Sequence, residues 1–368
     1  MRLSLKVEPR LETSRLLGLM IPVLSLVSAL AMGAVFLHFM GVSPAKAYST
    51  IVRASLGDAY GISETIVKAI PLTMVAIAVM LAFTMLIWNI GCEGQIFMGA
   101  IAAAAAVRYC FVDNRLVMFA IMFVLSGIAG GVWAAIAGFF RAKWNVNEII
   151  TTLMLNYVAI NFFNYFIYGP WRDPTSLGFP MTPLFPDTAR LTCYCGTRVH
   201  AGLILALLLP LVFWVVLRFT RWGYEIRVMG ENPKAAGFAG MSYVKNVVLV
   251  MFISGAIAGV AGMCELSGLQ GRLQAGFSGG YGYTAIIVAW LARLHPVGII
   301  LVSFLLGVLL VGSETLQIVM RLPVSSMLVL QGLILFFVLG GEFFRKFRIR
   351  IVTGGGHRAS PEALKEGE

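Results

Sequence analysis

Ten runs of apolar residues, parted by short polar joints, take up most of the 368 residues of this chain. They cover residues 16–40, 66–88, 96–110, 116–140, 149–168, 201–219, 246–266, 281–294, 297–320 and 324–341. Most approach the twenty or so residues an α-helix needs to cross a hydrocarbon core of roughly 30 Å. Only 12% of residues are charged and 59% are hydrophobic, with a mean hydropathy of +0.87, whereas soluble domains carry about 25% charged residues. Lipid, which penalises ionised side chains, explains that shortage. The expected fold class is all-α: a polytopic membrane protein of about ten transmembrane helices with broken or re-entrant segments. Residues 1–345 form one membrane domain and 346–368 a cytoplasmic tail. No cleavable signal is evident, and the first run reads as a retained helix.

The third and eighth runs are short, and each follows a Gly-rich polar stretch, residues 89–95 and 267–282. Irregular backbone at membrane depth needs cover from protein or a water-filled cavity, so these breaks are expected to line a path. With the N-terminus inside, the inner segments hold eighteen of the 28 Lys and Arg residues and the outer segments ten. Basic residues favour the cytoplasmic side, so both termini are expected there and the span count is even. The same bias accounts for the net charge of +11 without nucleic acid. Gly127…Gly131 and Gly255…Gly259 are small-xxx-small pairs, read as close packing of helices within the chain.

Chemistry of the catalytic kind finds no constellation. Cys92, Cys110, Cys193, Cys195 and Cys264 lack metal-ligand spacing, and His38, His200, His295 and His357 are scattered. A Cys193–Cys195 bond would be strained. Gly354-Gly355-Gly356 lacks the Lys-Ser/Thr of a phosphate loop. No catalytic residue, metal site or cofactor is assigned to this chain, and any energy that drives it is expected from another chain or an ion gradient.

The candidate solute-path residues are Asn89, Glu93, Gln95, Asn156, Asn161 and Asn164. Glu93 either lines a polar path or caps a break in the chain; both readings place it inside the protein. Asn161 and Asn164 share a helical face with Tyr157. Amides among aromatic rings suit a polar, ring-shaped solute, and hydrogen bonding between helices accounts for the same asparagines. In the polar segment 221–245, Asn232 can cap a short helix with Pro233 at its first position and Gly240 at its stop. Ala235, Ala236 and Ala239 give that helix a small-residue face, a knob suited to a groove on a partner.

Four stretches, in order, carry a resemblance. Asn89-Ile90-Gly91-Cys92-Glu93-Gly94-Gln95 followed by Met98-Gly99-Ala100, then Asn147-Glu148-Ile149 through Tyr157 with Gly169-Pro170, then Gly230-Glu231-Asn232-Pro233 with Ala235-Ala236 and Ala239-Gly240, and Ala289-Trp290-Leu291-Ala292-Arg293-Leu294-His295-Pro296 resemble motifs of the simple-sugar and nucleoside permeases of bacterial ABC importers, relatives of the branched-chain amino-acid and ribose permeases. Cys92, Trp290 and His295 depart from the usual pattern. The resemblance implies a permease in a bacterial cytoplasmic membrane that moves a nucleoside or simple sugar inward by alternating access, an ion-coupled secondary transporter being the alternative. It implies two permeases, identical or merely similar, two ATPases that use ATP and Mg, and an extracytoplasmic binding protein that the 169–200 loop faces. It also implies ATPase coupling through residues 230–241, with Glu225, Arg227, Gly230, Glu231, Asn232, Pro233, Lys234, Ala235, Ala236 and Gly240 as the contact set.

Overall fold

The computed structural model describes residues 3–9, 15–194 and 196–353. Cys195, and with it the Cys193–Cys195 bond, lies outside the described residues, as does the tail beyond residue 353. The chain divides into two compact units, one made of residues 1–40 with 328–368, the other of residues 41–327.

In the first unit, helix α1 (Arg15–Phe39) accompanies most of the last helix, α13 (Val324–Lys346). Gly341 of α13 sits against Ser25 of α1, where any Cβ would collide with the serine hydroxyl. Strand β1 (Leu3–Pro9) pairs antiparallel with β2 (Phe347–Thr353), from Leu3↔Thr353 to Pro9↔Phe347. This small ladder is an addition to the all-α expectation, and it brings both ends of the described chain together.

The second unit is a helical bundle built around α3 (Ala59–Thr84), whose most apolar window is 89% buried. Packed on it are α2 (Pro44–Leu56), α7 (Gly202–Phe219), α10 (Tyr243–Glu265), α11 (Tyr281–Leu291) and α12 (Pro296–Met320), with α4 (Cys92–Tyr109) and α5 (Arg115–Trp144) layered on α10 and α6 (Glu148–Tyr168) on α4. Two short helices, α8 (Arg221–Glu231) and α9 (Pro233–Phe238), join α7 to α10. Six helices of the described chain, α3, α5, α6, α7, α10 with its extension to Gln270, and α12, are each long and apolar enough to cross a membrane.

Every one of the ten expected runs falls on a helix, and the departures have physical causes. Residues 92–95 belong to α4, not to the break before it, so α4 has 18 residues and spans about 27 Å at 1.5 Å per residue. The irregular backbone is limited to residues 85–91. The other expected half-span is real: α11 has 11 residues, about 16 Å. Residues 271–280 precede it, with Gly271, Gly276 and Gly280 at φ +65°, +76° and +82°, a region closed to most L-residues. Helix α2 has no counterpart among the expected runs, because it is amphipathic rather than apolar throughout; Ala47, Ile51 and Ser55 are its buried face.

Helices α4, α5 and α10 meet along a glycine seam. A methyl at Gly130 would strike the Gly255 carbonyl, one at Gly259 the Ser126 carbonyl, and one at Gly99 the Gly259 backbone. Ser126 also donates to the Gly99 carbonyl at 2.9 Å. Close packing within the chain therefore holds for Gly131, Gly255 and Gly259, but Gly130 replaces Gly127, which meets Val260 at an ordinary 3.6 Å.

Candidate functional site

Two sites emerge, one buried and one exposed. The buried one begins at the α3–α4 break. Asn89 Nδ2 donates to Gln95 Oε1 at 3.1 Å and to Ser254 Oγ of α10 at 2.9 Å. In return Gln95 Nε2 and the Gly91 N–H donate to Asn89 Oδ1 at 2.9 and 3.1 Å. The Ser254 hydroxyl in turn donates to the Ala78 carbonyl of α3 at 2.7 Å. Each amide thus satisfies the other, which apolar surroundings require of buried polar groups.

Asn156 of α6 extends this network. Its Oδ1 accepts from the Gly94 N–H at 2.8 Å, and its Nδ2 donates to the Ile90 carbonyl at 2.9 Å and Tyr283 Oη at 3.3 Å. Helix α6 is itself set by its Asn147 cap, which accepts from the Ile149 N–H at 2.9 Å, and by Glu148, which meets Arg141 of α5 at 3.2 Å.

Glu93 turns out to serve a helix other than its own. Its Oε2 accepts from the Gly282 N–H at 2.7 Å, and the Gly280 N–H and Ser278 hydroxyl also bond to the carboxyl. It thereby caps the N-terminus of the half-helix α11 while sitting in the first turn of α4. Unpaired N–H groups and the positive end of the helix dipole favour a carboxylate there.

Four of the six expected path residues, Asn89, Glu93, Gln95 and Asn156, are thus one network, 3% exposed or less. They join α3, α4, α6, α10 and α11 across the break. Asn161 and Asn164 stay outside it. Asn161 lies exposed on α6 and donates to the Tyr157 carbonyl at 2.8 Å, while Asn164 is half-buried. Ser254, Ser278, Gly282 and Tyr283 complete the network; Ser278 and Gly282 belong to the 267–282 stretch expected to line a path, whereas Ser254 and Tyr283 escape sequence reasoning. The lone serine before Gly255 in an apolar run is a signal that could have revealed Ser254.

The exposed site is α9. Asn232 Oδ1 accepts from the Lys234 and Ala235 N–H groups, both at 3.1 Å. Pro233 fills the first position, and Gly240 takes φ +78° just past the end. Residues 231–235 and 237–240 are exposed, while Ala236 is buried. Phe238, absent from the expected contact set, is 96% exposed. Two residues along a helix is about 200° of turn, so an aromatic at 238 opposite the anchored Ala236 was the available signal. Of the remaining expected residues, Gly230 is buried, Glu225 half-buried and Arg227 exposed, and each bonds or packs back onto the bundle. Gly230 packs so tightly on the Thr84 carbonyl of α3 that no side chain fits. Glu225 accepts from Asn246 Nδ2 at 3.2 Å, and Arg227 donates to the Leu217 carbonyl. These three seat the peg on α3, α7 and α10.

On another face, the 169–200 loop is stitched to the segment beyond α10. Thr182 N donates to the Leu273 carbonyl at 2.9 Å, Phe185 N to that of Gly271 at 2.8 Å, and Leu191 N to that of Ser267 at 3.0 Å. Leu177 and Phe179 stand out from it, 94% and 63% exposed.

Residues 61–339 match the family described as branched-chain amino acid transport system / permease component. The chain is 35% identical to the glucose ABC transporter permease protein TsgB13 of Haloferax volcanii over 95% of each chain. It is 32% identical to the guanosine ABC transporter permease protein NupP of Bacillus subtilis, over 92% of this chain and 97% of that one. A second Haloferax volcanii protein, the putative glucose ABC transporter permease protein TsgC13, is 27% identical over 60% of this chain and 67% of its own. No solved structure matches. Permeases of this kind are transport subunits, not enzymes, and work with ATPase and substrate-binding partners, which removes the ion-coupled alternative. The chain belongs to the permease-component family of branched-chain amino acid transport systems, as a multi-pass membrane subunit of an ABC importer.

Proposed function

We propose that this permease imports a nucleoside or a simple sugar by alternating access, driven through α9 by an ATPase that hydrolyses ATP with Mg. The observation that carries the reading is the capped, outward-facing peg 232–240, with Phe238 96% exposed. An aromatic bared on a rigid, polar-capped turn is the kind of anchor that fills a partner's groove. The solute class follows the glucose and guanosine named for the two relatives that cover nearly the whole chain.

The Gly230–Thr84 contact ties the peg to the end of α3, directly before the break that the buried network bridges. Movement of α9 would therefore strain the break and the Glu93 cap on α11, opening the bundle to the path. Asn161 and Asn164, on the less buried helix α6, would then face solute. The 169–200 loop would receive the binding protein. The second permease is an unlike relative, a reading supported by the two distinct Haloferax volcanii permeases that the chain resembles. The complex sits in the cytoplasmic membrane with both termini inside; the β1–β2 pairing is consistent with termini on one side.

Charge reversal at Glu231 and Lys234 tests the docking surface. The double variant is expected to insert normally and to lose ATPase on purification in detergent. Undiminished ATPase recovery would sink the docking assignment.

A further inference from the structure

Apart from the buried network and the peg, the bundle holds a second set of ionisable groups. Glu64 and Lys68 stand four residues apart, on one face of α3. Glu64 Oε2 accepts from Arg198 of the 169–200 loop at 3.0 Å, and Lys68 donates to Glu314 Oε1 of α12 at 2.7 Å. These pairs match one cation to one acid each. Glu265, the last residue of α10, is the acid left over. It is 3% exposed, and the charges acting on it are Lys68, Arg198 and Glu314. Both cations are already bonded to other carboxylates. An ionisable side chain buried this way in a membrane bundle carries a cost that function has to justify.

The polar atoms of this set show what is missing. Gln270 hydrogen-bonds to the Glu265 carboxyl, yet Glu265 Oε2, Gln270 Oε1 and Glu64 Oε1 are buried without any partner. All three are acceptors that lack a donor. Glu265 also leads into the π-helical turn Leu266–Gln270, a rare conformation that concentrates at functional sites. Side-chain exposure rises from 17% at Lys68 to 53% at Arg198 and 59% at Glu314. Arg198 and Glu314 thus reach the surface, while their partners Glu64 and Lys68 lie mostly inside the bundle.

We infer that Glu265, Gln270 and Glu64 form a solute subsite that takes the hydroxyl groups of a neutral polyol, the sugar ring of a nucleoside or a free sugar. This rests on the importer reading above. The paired carboxylates Glu64 and Glu314 repel an anion, while Lys68 and Arg198 repel a cation. A hydroxyl donates to the orphan oxygens without adding charge and accepts from the neighbouring cations.

The test uses the complete importer in proteoliposomes with its binding protein, fed guanosine or its 2′-deoxy and 3′-deoxy analogues. The binding protein's own preference is common to all permease variants and cancels in the comparison. Glu265→Ala is expected to cut guanosine uptake about tenfold, as loss of one hydrogen bond does, while sparing at least one deoxy analogue. Glu265→Gln keeps shape and one acceptor, and should retain part of the preference. Equal loss for all three solutes marks a structural role and overturns the subsite, as does unchanged guanosine uptake. Wild-type vesicles that import neither guanosine nor glucose would sink the solute class itself, a failure visible before any variant is compared, and the subsite with it.

Discussion

The buried network and the peg are built from the same residue types and use them in opposite ways. Asn89 and Asn156 spend every amide group on neighbours inside the bundle. Asn232 spends its oxygen on two local N–H groups and leaves its surroundings bare. The first arrangement joins distant helices; the second stiffens one short turn so that it can be presented. Burial separates the roles, since an unsatisfied amide in an apolar bundle is costly and the same amide in water is not. Mutations in the network should therefore act on stability, and mutations in the peg on partner binding.

The largest expected effect comes from Asn156→Ala. It orphans the Gly94 N–H and the Ile90 carbonyl at once, at about 1–3 kcal/mol for each buried group left unmade. The detergent-purified complex should melt well below wild type, with ATPase docking intact while the protein stays folded. An unchanged melting temperature would break the contrast, because the network would then not hold the helices together.

A buried histidine extends the first side of the comparison beyond the spans. His200 is fully buried, accepts from the Gly202 N–H at 3.2 Å, and leaves Nε2 without a partner. Burial pushes its pKa down from 6.5 to about 4. The unfolded imidazole takes up a proton near pH 6.5 while the folded one refuses it until near pH 4. Stability is thus complete above pH 6.5 and is lost as the pH falls, by about 2 kcal/mol at pH 5. Melting curves from pH 7 to 5 should show this, and His200→Asn should flatten the dependence.

Phe238→Ala is the counterpart on the exposed side. Truncating an aromatic anchor costs a partner about 2 kcal/mol, a loss of roughly thirtyfold in ATPase affinity, with melting of the isolated permease unchanged. A variant that melts early instead would place Phe238 among packing residues.

How far these sites were legible depends on whether their cause is local. The Asn232 cap, Pro233 and Gly240 write α9 into adjacent residues, and hydrophobic runs locate ten of the thirteen described helices because lipid acts on each alone. Glu93 was legible as an interior acid, yet its service to α11 was not, since its partner Gly282 lies 189 residues away. Gly130 replaced Gly127 for a similar reason: spacing on one helix cannot reveal the register of its neighbour. Phe238 could be seen in the sequence, but its exposure depends on Ala236 being the anchored side.

Asn161→Ala sharpens the comparison at its small end. Its amide reaches only the Tyr157 carbonyl of its own helix, and its position is exposed. Removing it leaves no buried group unmade, so stability should change by less than about 0.5 kcal/mol. Its amide on the exposed stripe with Tyr157 and Tyr165, 55% and 62% exposed, is nonetheless a costly group to show to lipid. If that stripe faces solute, uptake should fall severalfold at unchanged melting temperature and ATPase recovery. If it faces the second permease, the pair should dissociate instead, and gel filtration in detergent separates the two outcomes. Loss of stability without either change would make Asn161 a member of the buried class, and the division drawn from burial would fail at the helix where it is most exposed to test.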